Sequence, residues 1–176
     1  MCVILVGRVS KAQHELAVRQ NPDGFSVFTP KLGLIKSPTK AQVKEALNHF
    51  AIWHYRIGTS GKKGDYNVHP FEICEGKFLL YHNGILGEGL GDMSDTHALA
   101  ETLKDVDIKV AMSVLNALKD RQRFLVVSAT NPKDFRLIGD WSCDGGVLMS
   151  HKLYSYSYKE CEKTLSRFSL GGDDNE

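Results

Sequence analysis

Short apolar runs, each closed by glycine, proline or an Asn-Gly pair, recur along the whole chain and constrain its fold more than any other feature. CVILVGR opens the sequence, GFSVFTP ends at Pro30, and AIWHYRI occupies 51–57. FEIC and KFLLYHNG flank Glu75-Gly76, while RFLVVSAT, FRLIGDW and GGVLMSHKLY fill the last third. Runs this brief, rich in Val, Ile, Phe and Tyr and bounded by turn residues, predict strands. A helical period shows in three places. From Thr39, a candidate N-cap, TKAQVKEALNHF puts Val43, Ala46, Leu47 and Phe50 at helical spacing. Ser94 heads SDTHALAETL, and 107–119 carries Ile108, Val110, Ala111, Val114, Leu115 and Leu118. The stretch between Pro30 and Pro38 reads as a loop, and TSGKKGDYN and ILGEGLGDM read as polar, Gly-rich connections. The order strands, helix, strands, two helices, strands lacks the alternation of a doubly wound sheet. It predicts an α+β domain in which a mixed sheet packs against helices.

Composition narrows the functions open to such a domain. A chain of 176 residues with 42% hydrophobic content suits a single domain with its own core. With 22 Lys plus Arg against 21 Asp plus Glu the formal charge is +1, so neither nucleic acid nor an anionic membrane is an expected partner. The apolar start, Cys2 to Val6, is too short for a signal-peptide core, and no later run reaches the roughly 18 apolar residues of a membrane span. A soluble, cytoplasmic protein is expected. The four cysteines, Cys2, Cys74, Cys143 and Cys161, include no CxxC pair, which argues against a zinc site or a disulfide framework. The acidic end GGDDNE, residues 171–176, reads as a disordered tail.

Three concentrations of polar residues and one cysteine are left over. HYRIGTSGKKGDYNVHPF gathers His54, Arg56, Thr59, Asn67 and His69 at a strand end and in the following loop. Arg56 there could form an internal salt bridge or grip an anionic ligand. YHNGIL contains Asn83-Gly84, either a tight turn or a pair of donors for a developing oxyanion. Asp95 in MSDTHAL could simply favour a helix N-terminus. Cys2 follows the initiator Met1, whose removal would leave a thiol and a free α-amine on one residue.

In this order, a cysteine after the initiator Met, H-x-R-x-x-T-x-G (54–61), N-x-H-P-F (67–71), H-N-G-I (82–85) and S-D-T (94–96) resemble the class II glutamine amidotransferase domain of the N-terminal-nucleophile (Ntn) hydrolases. The resemblance covers most of the chain, and FRLIGDWSCDGGVLMS is similar to a late strand segment of these domains. Two positions depart from the usual pattern. Val3 stands where glycine commonly follows the nucleophile, and His97 stands where Glu usually follows S-D-T.

The resemblance implies a four-layer αββα Ntn sandwich over residues 1–170. It implies hydrolysis of a γ-amide through a thioester on Cys2, with no metal or organic cofactor. The α-amine, whose unperturbed pKa is roughly 7.7–8, would serve as the proton acceptor. Asn83 and Gly84 would then hold the oxyanion, Arg56 the substrate α-carboxylate, and Asp95 its α-ammonium. Thr59 and Gly61 would complete the carboxylate site, while His54, His69 and His82 would orient the surrounding loops. The expected substrate is glutamine or another γ-glutamyl amide, with the ammonia passing to a separate synthase subunit. A stand-alone hydrolase, or a catalytically silent binding protein of the same fold, is the alternative.

Overall fold

The computed structural model describes residues 2–151. The sequence expectations for the end of GGVLMSHKLY, for Cys161 and for the acidic tail fall outside these residues.

Two antiparallel sheets form the centre of the fold. The first has six strands: β1 (Val3–Gly7), β2 (Phe25–Thr29), β3 (Gly33–Lys36), β4 (Ala51–Tyr55), β9 (Ser142–Asp144) and β10 (Val147–Met149), in the order β3-β2-β4-β1-β10-β9. The second runs β5-β6-β7-β8, from β5 (Phe71–Ile73), β6 (Phe78–Asn83), β7 (Arg123–Ser128) and β8 (Phe135–Ile138). Every pairing between these strands is antiparallel. The helices are α1 (Lys11–Gln20), α2 (Lys40–Ala46), α3 (Asp95–Thr102) and α4 (Ile108–Ala117).

Three apolar clusters separate these elements, and they explain why the strands read as continuous apolar runs. Alternate side chains of a strand point to opposite faces, so a strand covered on both faces is apolar throughout. Val3 and Leu5 of β1 join Trp53 and Tyr55 of β4 against Ala17 of α1 and Ala46 of α2. Their neighbours Ile4, Val6 and Ile52 meet Leu79, Tyr81, Leu125 and Val127 of the second sheet. On the far face of that sheet, Leu80, Phe124 and Val126 pack against Ala100 of α3 and Ala111 and Leu115 of α4.

The expected mixed sheet is instead two sheets, each antiparallel throughout, and three elements also correct the sequence reading. Helix α1 was not anticipated, because its buried side chains are only His14 and Ala17 and no apolar stripe marks it. The available signal was its capping box, in which Ser10 and Gln13 exchange side-chain and backbone bonds. The stretch read as a loop between Pro30 and Pro38 contains β3, an edge strand paired with β2 from Lys36 to Gly33. It is short and only partly buried, so it has little pattern to show. Helix α2 also ends at Ala46 rather than continuing to Phe50.

Candidate active site

One cleft is lined by Cys2, Arg56, Thr59, Ser60, His69, His82, Gly84 and Asp95 among others. Adjacent strands bring these distant residues together. β1 lies beside β4, with Val3 opposite Tyr55, so Cys2 and Arg56 leave neighbouring strands at the same end of the first sheet. The end of β6 in the second sheet delivers His82, Asn83 and Gly84. Ser94 caps α3 by accepting a bond from the His97 N–H, and this places Asp95 in the first turn.

Cys2 is half-buried, and its Sγ donates to the Ile57 carbonyl at 3.6 Å. Burial pushes its thiol above the ordinary value, with the nearby Arg56 cation opposing the shift. The group is therefore a protonated thiol at neutral pH and needs an acceptor before it can attack. Arg56 is buried, and its Nη2 donates to the Ser60 carbonyl at 3.0 Å while Nη1 has no protein partner. No carboxylate forms an ion pair with it among the described residues, so the internal salt bridge considered from sequence is not formed. A guanidinium held on one edge and unpaired on the other is suited to a carboxylate from outside.

Asp95 is held on both oxygens. Oδ2 accepts from the Leu86 N–H at 2.8 Å, and Oδ1 accepts from the Thr96 N–H at 2.7 Å. Its own N–H donates to Ser60 Oγ at 3.2 Å, so Ser60 touches both Arg56 and Asp95. Asp23 fixes the loop after β4 by accepting from the Gly58 N–H at 2.8 Å and from Lys63 Nζ at 3.0 Å. These bonds hold the Asp23 carboxyl below its usual range, the Gly58 N–H first among them.

The remaining expected site residues divide. Gly84 lines the cleft at φ +157°, a backbone that favours glycine, and a β-carbon there would push the Gln122 side-chain oxygen aside. Asn83 does not line it, because its Nδ2 is engaged by Ser150, at 3.0 Å from Oγ and 3.2 Å from the carbonyl. Thr59 is exposed at the rim. Gly61 lies outside the lining, at φ +69°, where a β-carbon would come within 2.5 Å of the Ser94 nitrogen. Its place is to let the loop approach the start of α3.

The three histidines are buried but not equivalent. His54 sits edge-on to His69, with ring centroids 4.1 Å apart, and neither ring has a hydrogen-bonding side chain as partner. Burial drives the His54 pKa from 6.5 down to about 3 and holds His69 well below its ordinary value. His82 is different, with Nδ1 at 2.7 Å from Thr96 Oγ1 and Nε2 at 2.9 Å from Gln122 Oε1. His97, the departure after S-D-T, bonds Asn67 Oδ1 at 3.2 Å and stacks on Phe71 at 4.4 Å.

Sequence reasoning did not single out Asp23, Ser60 or Gln122, it held Thr96 only as the last letter of S-D-T, and it noted Ser150 only as the end of a similar strand segment. Ser150 joins the two sheets beside the cleft, since its Oγ also accepts from the Ile4 N–H at 2.9 Å. Among the described residues, no three of His, Cys, Asp and Glu are placed to hold a metal ion. No helix among them is long and apolar enough to cross a membrane.

A half-buried thiol, a guanidinium with a free edge, a fixed carboxylate and a glycine thus meet around one cleft. The chain is 32% identical over 98 residues to the glutamine–fructose-6-phosphate aminotransferase (isomerizing) of Bacillus licheniformis, a match covering 54% of this chain and 16% of that protein. It is 29% identical over 135 residues to the protein of that name from Aquifex aeolicus, covering 66% and 22%. A third, from Thermococcus kodakarensis, is 34% identical over 80 residues, covering 46% and 12%. The matched stretch thus spans less than a quarter of each relative's length. No protein-family model matches the chain. The resemblance read from the motifs is borne out by these relatives.

Proposed function

We propose that this chain is a Cys-dependent glutaminase with the αββα Ntn fold over residues 1–170, acting in the cytoplasm and supplying ammonia to a separate synthase. The observation that carries the reading is the meeting of Cys2, Arg56, Gly84 and Asp95 around one cleft, although they come from four parts of the sequence. Three relatives named for a glutamine-dependent aminotransferase support glutamine as the amide.

In this reading, Met1 is removed and the α-amine of Cys2 takes the thiol proton, directly or through one water. The resulting thiolate attacks the glutamine Cδ, and the carbonyl oxygen becomes an oxyanion facing the Gly84 N–H. Asn83 can add a second donor by releasing one of its bonds to Ser150. Collapse breaks the C–N bond, and the α-ammonium returns its proton to the departing ammonia. Water then attacks the thioester, releasing glutamate and restoring the thiol. The free edge of Arg56 receives the substrate α-carboxylate, with Thr59 and the chain near Gly61 around it, and Asp95 receives the α-ammonium. His54 and His69, neutral and buried, support the floor without exchanging protons.

The test is release of glutamate and ammonia from glutamine by the wild type and by Cys2→Ala. Turnover lost in Cys2→Ala at an unchanged melting temperature supports the reading. Normal turnover by Cys2→Ala refutes it.

A further inference from the structure

Gln122 belongs to none of the motifs, yet it is the residue that closes over Gly84. Its backbone is fixed at the start of β7, where its N–H donates to the Lys119 carbonyl at 3.0 Å. Its side chain faces the loop after β6 with both polar atoms in use. Oε1 lies 2.9 Å from His82 Nε2, and Nε2 donates to the Ile85 carbonyl at 3.0 Å. Oε1 also occupies the space that a side chain on residue 84 would need.

The bonding determines which His82 nitrogen carries the proton. A carboxamide oxygen only accepts, so His82 Nε2 must be the N–H. His82 Nδ1 is then the acceptor, and the Thr96 hydroxyl 2.7 Å away gives its hydrogen to it. Asp95 Oδ1 keeps its bond from the Thr96 N–H. Residues 84–86 are thus fastened on two sides, by Gln122 at the Ile85 carbonyl and by Asp95 at the Leu86 N–H. Both fastenings hold the two residues that directly follow Gly84.

We propose that Gln122 is a positioning residue, which fixes His82 as the Nε2–H tautomer and clamps loop 84–86 so that Gly84 presents its N–H to the Cys2 cleft. The catalytic half of this inference rests on the glutaminase reading, whereas the tautomer half does not. Removing the acceptor leaves a buried Nε2–H unpaired, so the proton moves to Nδ1 and donates to Thr96 Oγ1, whose hydroxyl turns to Asp95 Oδ1, 3.3 Å away. The loop, released at Ile85, then holds the oxyanion less well.

The experiment is ring-nitrogen NMR on the full chain carrying ¹⁵N-histidine, with glutamine turnover measured on the same samples. The wild type is expected to show neutral His82 as Nε2–H at pH 7. Gln122→Met, close in shape, is expected to shift it toward Nδ1–H and to lower kcat by about tenfold to a hundredfold, with KM within about threefold of wild type. Gln122→Glu, which restores the acceptor, returns the Nε2–H tautomer. Wild-type His82 as Nδ1–H, or unchanged kcat in a Gln122→Met chain that folds normally, overturns the proposal. A wild type that never hydrolyses glutamine overturns the glutaminase reading instead, and the tautomer shift still decides whether Gln122 sets His82.

Discussion

Ser150→Ala is expected to loosen the junction between the two sheets and can be worked through bond by bond. Pairing of β1 with β10 ends at Leu5 and Met149, and Ser150 carries it one step further with its own side chain. Its N–H donates to the Ile4 carbonyl at 3.0 Å, while its Oγ accepts from the Ile4 N–H at 2.9 Å. Alanine keeps the first bond and loses the second, leaving a fully buried backbone N–H unpaired at a cost of about 1–3 kcal/mol. Asn83 Nδ2 loses its bond to Oγ but keeps the Ser150 carbonyl, so its share is about 0.5–1 kcal/mol. No β-carbon is removed, so no large cavity term is added. The sum is about 1.5–4 kcal/mol, equivalent to a melting temperature lower by roughly 3–16 °C in a chain of this size. Urea unfolding and calorimetry on wild type and Ser150→Ala measure both quantities. A variant within 1 °C of wild type would refute the reasoning, since it would mean that the Ile4 N–H and Asn83 do not depend on this hydroxyl.

Three further outcomes follow from the geometry. Gly84→Ala forces its β-carbon onto Gln122 Oε1 and within 2.8 Å of His82 Nε2, so glutaminase kcat should fall by about a hundredfold or more, and wild-type turnover would contradict the tight approach. The folded-state pKa values of His54, about 3, and His69 lie below their unfolded values, so the unfolded chain binds protons that the folded one refuses. Stability from this source is complete above about pH 6.5 and is lost as pH falls toward 3, at up to about 1.4 kcal/mol per pH unit for each histidine. Urea midpoints equal at pH 7 and pH 5 would count against it, and His54→Leu should flatten the dependence. Ser10→Ala removes the α1 cap and should cost about 1 kcal/mol while leaving turnover unchanged, as read by urea unfolding beside the activity assay.

Much of the architecture was legible because strands covered on both faces produce unbroken apolar runs, as in Val3 to Val6 and Leu79 to Tyr81. The start of α3 was legible because Ser94 caps it with its own side chain, and α4 because its apolar residues recur at helical spacing. Helix α1 escaped because it buries a histidine and an alanine, which leave no stripe, and β3 escaped because an edge strand of four residues has almost no period. In the cleft, Cys2, Arg56, Gly84 and Asp95 were found through ordered motifs. Ser60, Gln122 and Ser150 were not used because their importance lies in which backbone groups they reach. A serine that bridges two sheets has the same letter as a serine on a surface loop. Asn83 shows the converse, since the motif names it but only the structure shows its amide bonded to Ser150.

The central claim is that Cys2 is an N-terminal nucleophile for glutamine, and labelling tests it most directly. The chain is incubated with a diazo-ketone analogue of glutamine, then analysed by intact-protein and N-terminal peptide mass spectrometry. The account predicts loss of Met1 and a single adduct on Cys2, blocked by excess glutamine and absent from Cys2→Ala. Retained Met1, or an unmodified Cys2 beside labelled thiols elsewhere in the chain, would contradict it.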